Sequence, residues 1–522
     1  MPSYLADAAA VVCALVCIKL LRSWSRNRNK PPLPPGPKGL PLIGNVLDMP
    51  EVEEWEAVRK WSETYGPIIH LNIFGTSYIF LNSYEAAVEL FEKRGAKYSS
   101  RPRMVMMELE GWSSWLPVVM SYGDMVRRSR QLFHRFLSPS AVGDYYELQE
   151  QSTQRMLKRL LKNPDKYFEI SRYLAGETIL MVTYGHKAAE KDDALILLAE
   201  KGMDSFAEAE GFFLVNAFPW LQYLPSWLPG TGFKKIASNG YKRSMAMYQE
   251  PYQMTKKKIQ EGTAMPSMTS KLLEAYQTND PVIDNESLIP TISATAYAGA
   301  SDTTVSTMLT FLLAMVLHPD IQRRAQDEVD RVVGRNNLPS FKDRPNLPYV
   351  EAVCKECMRW QCVAPMGVAH SPDEDDEYNG YFIPAGATYS TLNPSWSGQN
   401  ERAITKDPKV YEDPDKFIPE RWLPTEGKEA PLDIDKIAFG FGRRQVICSG
   451  MHFANNSIFI GIASLLSAFN ISKALDEHGQ PITPKVEYTS QFIRHCKPFK
   501  YSLIPRSEEI VKAVHQAVDA AN

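Results

Sequence analysis

Cysteine is scarce: seven are scattered over 522 residues, an odd number with no framework spacing. No disulfide scaffold is encoded, and a reducing compartment is expected. Excess charge is missing too. The formal net charge is −3 and the pI is about 6.4, so there is no global electrostatic case for nucleic acid. Glycine (29) is outnumbered by proline (37), which favours rigid turns over a glycine-rich barrel. No internal repeat and no low-complexity tract interrupts the chain. What is present is a 44% hydrophobic, 11% aromatic composition. That is ample for a large core and excludes a disordered or collagen-like chain.

Residues 4–21 are mostly apolar, with an uninterrupted run over 8–18 bracketed by Asp7 and Lys19. As a helix this stretch spans about 27 Å, slightly short of a hydrocarbon core of about 30 Å. Lys19 can snorkel, and a thin endoplasmic-reticulum bilayer reduces the mismatch. Arg22, Arg26, Arg28 and Lys30 follow directly, which places the rest of the chain on the cytosolic side. A cleaved secretory signal is the competing reading. It would carry its basic residues before the run rather than after it. The expectation is a retained single-pass anchor over 1–22 in the endoplasmic-reticulum membrane, a basic and proline-rich hinge over 23–45, and a catalytic domain over 46–522. The hinge, with Pro31, Pro32, Pro34, Pro35 and Pro37, is either a generic spacer or a semi-rigid strut.

Alternation predicts a hairpin over 68–81 with a Gly75-Thr76 turn. Helical periods run over 142–161, 192–214, 245–260 and 321–333, and a long apolar helix covers about 286–317. Short strands return over 378–392 and near 499–504. A helix-rich, mainly α (α+β) domain with a minor sheet is the sum.

Three elements carry chemistry. Cys448 follows a glycine-flanked loop, Phe439-Gly440-Phe441-Gly442-Arg443-Arg444, and precedes a helix beginning at Met451. A cysteine at a helix N-terminus near arginines can be a thiolate, and arginines can hold carboxylates. That set suits haem, whose iron takes cysteine and whose propionates need cations. On spacing alone, a buried structural cysteine is the commoner role. Second, Glu356 and Arg359 share a helix face, and Arg421 in Pro419-Glu420-Arg421-Trp422 offers a third partner. Solvated helix pairs of this kind are common. Third, Gly299-Ala300-Ser301-Asp302-Thr303-Thr304 interrupts the long apolar helix. Polar residues there compete with the backbone ladder, and the small residues let something flat approach. Ordinary small-residue helix packing is the bland alternative. Cys354 and Cys357 form a CxxC, but no second CxxC or histidine pair accompanies it, so zinc is not expected.

The order and separation of these elements resemble the cytochrome P450 family of haem-thiolate monooxygenases. The likeness runs from Pro34 to Arg506 and includes Tyr122-Gly123-Asp124 leading to Arg130, and Phe417-Ile418-Pro419-Glu420-Arg421-Trp422. It looks most like the fungal microsomal type used in secondary metabolism. The resemblance implies the cytochrome P450 fold and haem b, with Cys448 as axial iron ligand and Phe441 and Gly299 beside the haem. It also implies Thr303 and Asp302 in oxygen activation, and Glu356, Arg359 and Arg421 as a structural triad. Arg130, Arg444 and His370 would contact propionates. Partners would be dioxygen, an NADPH–cytochrome P450 reductase docking near Arg127, Arg128, Arg135 and Arg443, the lipid bilayer and a lipophilic small molecule, but no nucleic acid.

Three positions depart from the family pattern. Val126 stands where tryptophan is usual, the groove reads Gly299-Ala300, and Gln445, Val446 and Ile447 separate Arg444 from Cys448 where one residue is usual. The two extra residues are either a bulge or a misjoined gene model. Met104, Met107, Trp112, Phe213, Val363, Met366 and Phe492 are the substrate-pocket candidates, an apolar set that predicts a lipophilic substrate. The expected reaction is hydroxylation or epoxidation of a terpenoid or other fungal metabolite. A haem isomerase or dehydratase of the same fold is an alternative, though Asp302 and Thr303 argue against it. A catalytically impaired lipid-binding membrane protein is another, motivated by the 445–446 insertion.

Overall fold

The structure is a computed structural model that describes residues 30–50, 52–211, 213–386, 400–427, 429–442 and 448–521. The expected anchor over 1–22 and the first part of the hinge lie outside the described residues, as do Arg443, Arg444 and the insertion at 445–446.

Among the described residues, the helices of ten residues or more are α1 (Glu54–Tyr65), α2 (Asp124–Leu137), α3 (Tyr146–Lys162), α4 (Tyr167–Tyr184) and α5 (Ala194–Ala209). They continue with α6 (Phe233–Gln260), α7 (Met268–Gln277), α8 (Leu288–Leu317), α9 (Pro319–Val332), α10 (Pro348–Trp360), α11 (Met451–Ala468) and α12 (Glu508–Ala520). Three two-stranded antiparallel sheets complete the fold: β1 (Ile68–Ile73) with β2 (Thr76–Leu81), β3 (Asp376–Tyr378) with β4 (Tyr381–Ile383), and β5 (Phe469–Lys473) with β6 (Tyr501–Pro505). The helix-rich body with minor sheets is as expected from the sequence.

Helix α8 organises the core. Its 30 residues are predominantly apolar and long enough to cross a membrane by length and composition alone, yet most of it is buried within the protein. A helix apolar all round belongs in the middle of a large protein or in a bilayer, and here α4, α5, α6, α7, α10 and α11 pack around it. Its N-terminal half, through Ala298, belongs to one hydrophobic core with α5 and α6. Its C-terminal half, from Val305, belongs to another with α4, α10 and α11. Each buried Leu, Met or Val there contributes roughly 1.5–3 kcal/mol. The seam between the two cores falls at 299–303.

Local details depart from the sequence pattern for physical reasons. The hairpin turn is Phe74-Gly75, one residue earlier than expected, because both take positive φ (50° and 87°) as a two-residue turn of this hand requires. Helix α6 starts well before residue 245 and runs through Gly240 and Pro251. Gly240 is needed because a Cβ there would lie 2.1 Å from the Glu110 carboxyl carbon. The proline segment is docked rather than free: the carbonyl of Pro35 accepts from His70 N (2.9 Å), and that of Pro32 accepts from Phe382 N (2.8 Å).

Candidate active site

The seam in α8 is where buried helix becomes accessible. Ala298 and Thr304 are buried, whereas Gly299 is exposed and Ala300, Ser301, Asp302 and Thr303 are half-buried. No atom lies within 4 Å of where a Gly299 Cβ would stand. The helix remains continuous, because the Thr303 hydroxyl donates back to the Gly299 carbonyl (2.8 Å) and Ser301 to Ala298 (3.2 Å). That leaves the Thr303 lone pairs free to accept. Asp302 is not free: its Oδ1 lies 3.0 Å from Nε2 of His495.

Cys448 precedes α11, which packs directly against α8. Gly440 and Gly442 both hold positive φ in the loop before it. Gly442 passes so close to Phe91, in the π-helical turn Val88–Lys93, that a Cβ would sit 2.3 Å from the Phe91 carbonyl oxygen. Phe441 is buried against Tyr84, ring centroids 5.8 Å apart. Cys448 itself is accessible. Burial of the sulfur nevertheless pushes the thiol up to about 12. The N–H of Gly450 opposes that shift, while Glu401 and Asp435 add to it. A thiol in this setting becomes a thiolate when a cation stands at the sulfur.

The expected propionate contacts divide. Arg130 is half-buried on α2 and makes no hydrogen bond or ion pair to any described residue, a cation without an anion. His370 is buried, bonded through Nδ1 to the Tyr98 carbonyl (2.7 Å) and stacked on Phe91 at 4.3 Å. Arg444 lies outside the described residues. Sequence reasoning missed Arg101, a buried guanidinium beside His370 that donates to the carbonyls of Val368 (3.0 Å) and Ala369. A lone arginine before proline gives no periodic signal that would mark it.

Glu356, Arg359 and Arg421 meet. Arg359 forks onto Glu356 through Nε (2.9 Å) and Nη2 (2.8 Å), and its remaining N–H groups reach the carbonyls of Thr405, Pro414 and Lys416. Glu356 also accepts from Ile418 N (2.8 Å), Arg421 Nε (3.2 Å) and Trp422 Nε1 (2.9 Å). Both Glu356 and Arg359 are 0% exposed. So many donors are what a charge out of water requires. Trp422 is the member the sequence reading passed over, although it adjoins Arg421.

A cavity of about 310 Å³ is lined by Met104, Met107, Val118, Val368, Phe492 and Glu210, among others. Trp112 does not line it. Its indole is sealed in the core and donates to Glu110 Oε2 (3.2 Å). Met366 is likewise placed elsewhere, packed with Trp55 and the β1–β2 hairpin. Val363 and Phe213 are half-buried and off the cavity wall. Glu210 and His495 were not singled out in the sequence: Glu210 is one more polar residue in the helical period over 192–214, and His495 falls in no motif. The arginines expected to steer a reductase are largely neutralised: Arg127 and Arg128 pair with Asp124, Arg128 with Asp284 (2.5 Å) and Arg135 with Asp280 (2.5 Å).

A helical body whose central helix opens at a glycine, with a cysteine leading the helix beside it, has the arrangement a haem-thiolate protein needs. The Cytochrome P450 family model matches residues 34–503, and the chain belongs to the cytochrome P450 family. It is similar to a cytochrome P450 monooxygenase of Ampulloclitocybe clavipes, 39% identical over 97% of this chain and 92% of the relative. A monooxygenase of Coprinopsis cinerea is 38% identical over 98% and 96%. The tryptamine 4-monooxygenase of Psilocybe cyanescens is 37% identical over 92% and 94%. The chain is therefore a cytochrome P450 monooxygenase, a family that carries a haem held by a cysteine thiolate. The residues present fit that group: an accessible thiol, an open glycine groove and the unpartnered Arg130 cation.

Proposed function

We propose that this chain is a membrane-tethered, haem b-dependent monooxygenase that hydroxylates or epoxidises a lipophilic small molecule, a terpenoid or other fungal secondary metabolite. It would draw on dioxygen and on electrons from an NADPH–cytochrome P450 reductase. Cys448 would hold the iron, and Arg130, Arg444, His370 and Arg101 would hold the propionates. Phe441 would shape the cysteine loop and Gly299 would admit the ring. When bound, the haem supplies dioxygen activation. The carrying observation is Cys448, accessible at the start of a helix packed against the one helix that opens at 299–303.

The protein's own share of the chemistry is proton handling and exclusion of water. Thr303 Oγ1 donates to the Gly299 carbonyl at rest, which leaves its lone pairs to accept a hydrogen bond from outside the helix; turned off that carbonyl, the hydroxyl would give its proton to the reacting oxygen while taking one from a neighbouring acid. Asp302, held by His495, is the adjacent acid that can resupply it.

Support for a membrane position comes from an apolar surface. The segment 218–227 exposes Trp220 (59%), Tyr223 (81%) and Trp227 (79%). Phe218 packs on Phe74 at 5.1 Å, and Phe74 N donates to the Ile43 carbonyl (3.3 Å), next to exposed Leu42. The hinge, the hairpin turn and this segment thus form one contiguous apolar face, the kind that seats at a bilayer interface. Separation of microsomes tests the tether. The full chain should pellet with membranes, and a chain beginning at residue 31 should be released by high salt or mild detergent.

A further inference from the structure

The substrate cavity sets Met104, Met107, Val118 and Phe492 beside Arg101, Arg103, Glu108, Ser113 and Ser121, and of its two acids Glu108 is paired with Arg103 whereas Glu210 is not paired. Glu210 follows directly on the C-terminus of α5, as its cap residue. It is 8% exposed and lines the cavity with Met104, Met107, Val118 and Phe492. Its Oε2 is sealed without a hydrogen-bond partner, and no described residue bonds or ion-pairs with its carboxyl. The nearby cations are engaged elsewhere. Arg103 forks onto Glu108 at 2.7 and 2.8 Å, and Arg101 holds the carbonyls of Val368 and Ala369. Burial therefore pushes the Glu210 carboxyl well above the ordinary range. The site disfavours an acid twice over, because the C-terminal end of a helix repels negative charge and a buried unpartnered carboxyl costs its desolvation. An apolar residue would be the stable choice for a cavity meant only for hydrocarbon.

We propose that Glu210 is the specificity-determining polar anchor of the substrate cavity, taking an N–H or O–H donor carried by an otherwise lipophilic substrate. This rests on reading that cavity as the substrate site of a haem-thiolate monooxygenase. The substrate class is thereby narrowed to apolar bodies bearing an amine or a hydroxyl at one end. A pure hydrocarbon would leave the carboxyl unsatisfied in the complex. A site built around such a group discriminates strongly against analogues that lack the donor.

The test is equilibrium dialysis of the holoenzyme against three probes that differ only in their terminal group: tryptamine, tryptophol and 3-ethylindole, each used as its derivative methylated at the indole nitrogen so that no ring N–H remains and the terminal group is the only donor. The wild type should bind tryptamine and tryptophol about tenfold tighter than 3-ethylindole. Glu210→Leu should bring all three to within about twofold of one another, with 3-ethylindole no weaker than before, and should melt at no lower temperature than the wild type. Glu210→Gln should keep the preference for tryptophol and lose that for tryptamine, since an amide still bonds a hydroxyl but does not balance an ammonium. If the leucine variant does not fold, the glutamine variant alone decides, and a retained tryptamine preference overturns the anchor. A preference for only one of the two donors supports the anchor and identifies its donor. Equal binding of the three probes, binding of none, or a preference that survives Glu210→Leu overturns it. The carbon monoxide spectrum of the same reduced samples separates the two readings. A thiolate-type band without donor preference removes only the anchor, whereas its absence removes the haem-thiolate reading beneath it.

Discussion

His495 Nε2 and Asp302 Oδ1 lie 3.0 Å apart, joining the accessible turn of the central helix to the segment that carries Phe492. The backbone at the histidine is fixed, since its main-chain N–H donates to Thr489 Oγ1 (3.0 Å) and its carbonyl accepts from Thr489 N (2.9 Å), while Nδ1 of the ring is buried without a hydrogen-bond partner. An acid beside Thr303 is thus oriented by a residue nearly two hundred positions away. The consequence is a double-mutant cycle. Asp302→Asn and His495→Ala should each lower product formed per NADPH consumed, and the double variant should be no worse than Asp302→Asn alone. Additive losses would show that the two act separately.

Thr303→Ala should leave haem content and substrate binding unchanged. It should lower product per NADPH by about tenfold or more, diverting electrons to peroxide or water. Peroxide and product measured in the same reaction check this. Unchanged coupling would remove the Thr303 hydroxyl from proton delivery.

Arg359→Met should prevent accumulation of folded protein. It strips a fully buried carboxylate, Glu356, of its bidentate partner and abandons the carbonyls of Thr405, Pro414 and Lys416. Breaking a buried pair in this way costs about 3–5 kcal/mol. Arg421→Lys, at the less enclosed edge, should cost less. Soluble yield and thermal unfolding read both.

Glu110 provides a pH signature. Burial raises its carboxyl from the ordinary 4.5 to about 7, against the pull of Ser205 Oγ (3.0 Å) and Trp112 Nε1 (3.2 Å). A raised acid binds its proton more tightly folded than unfolded, so its contribution is full below about pH 4.5 and is lost as pH rises through about 7. The whole effect is on the order of 3 kcal/mol at most. Glu110→Gln should flatten the fall in melting temperature between those limits. An identical slope in the variant would contradict the assignment. Gly240→Ala should destabilise the same place by steric conflict with that carboxyl.

The parts of this molecule that were legible in the sequence are those written in contiguous patterns. The apolar run of α8, the hairpin, Glu356 with Arg359, and the glycine-framed cysteine all show locally. What was hidden depends on contacts between distant segments. Glu110 and Gly240 are far apart in sequence, and only the α6 packing reveals that the glycine makes room for the acid. His495 and Glu210 look like ordinary surface polar residues until the fold buries them. Trp112 misled in the other direction. An aromatic next to pocket residues looked like cavity lining, but its indole N–H needed a buried acceptor and turned to Glu110.

The most direct test of the central assignment is the absorption of the reduced carbon monoxide complex of the purified full chain beside its Cys448→Ser variant, with a third sample lacking Gln445 and Val446. The full chain should give the thiolate-type band, and the serine variant should lose it while the remaining fold survives. The shortened chain should match or exceed the full chain in haem occupancy. A thiolate-type band that persists in Cys448→Ser, or a haem-loaded full chain that shows none, would contradict Cys448 as the iron ligand.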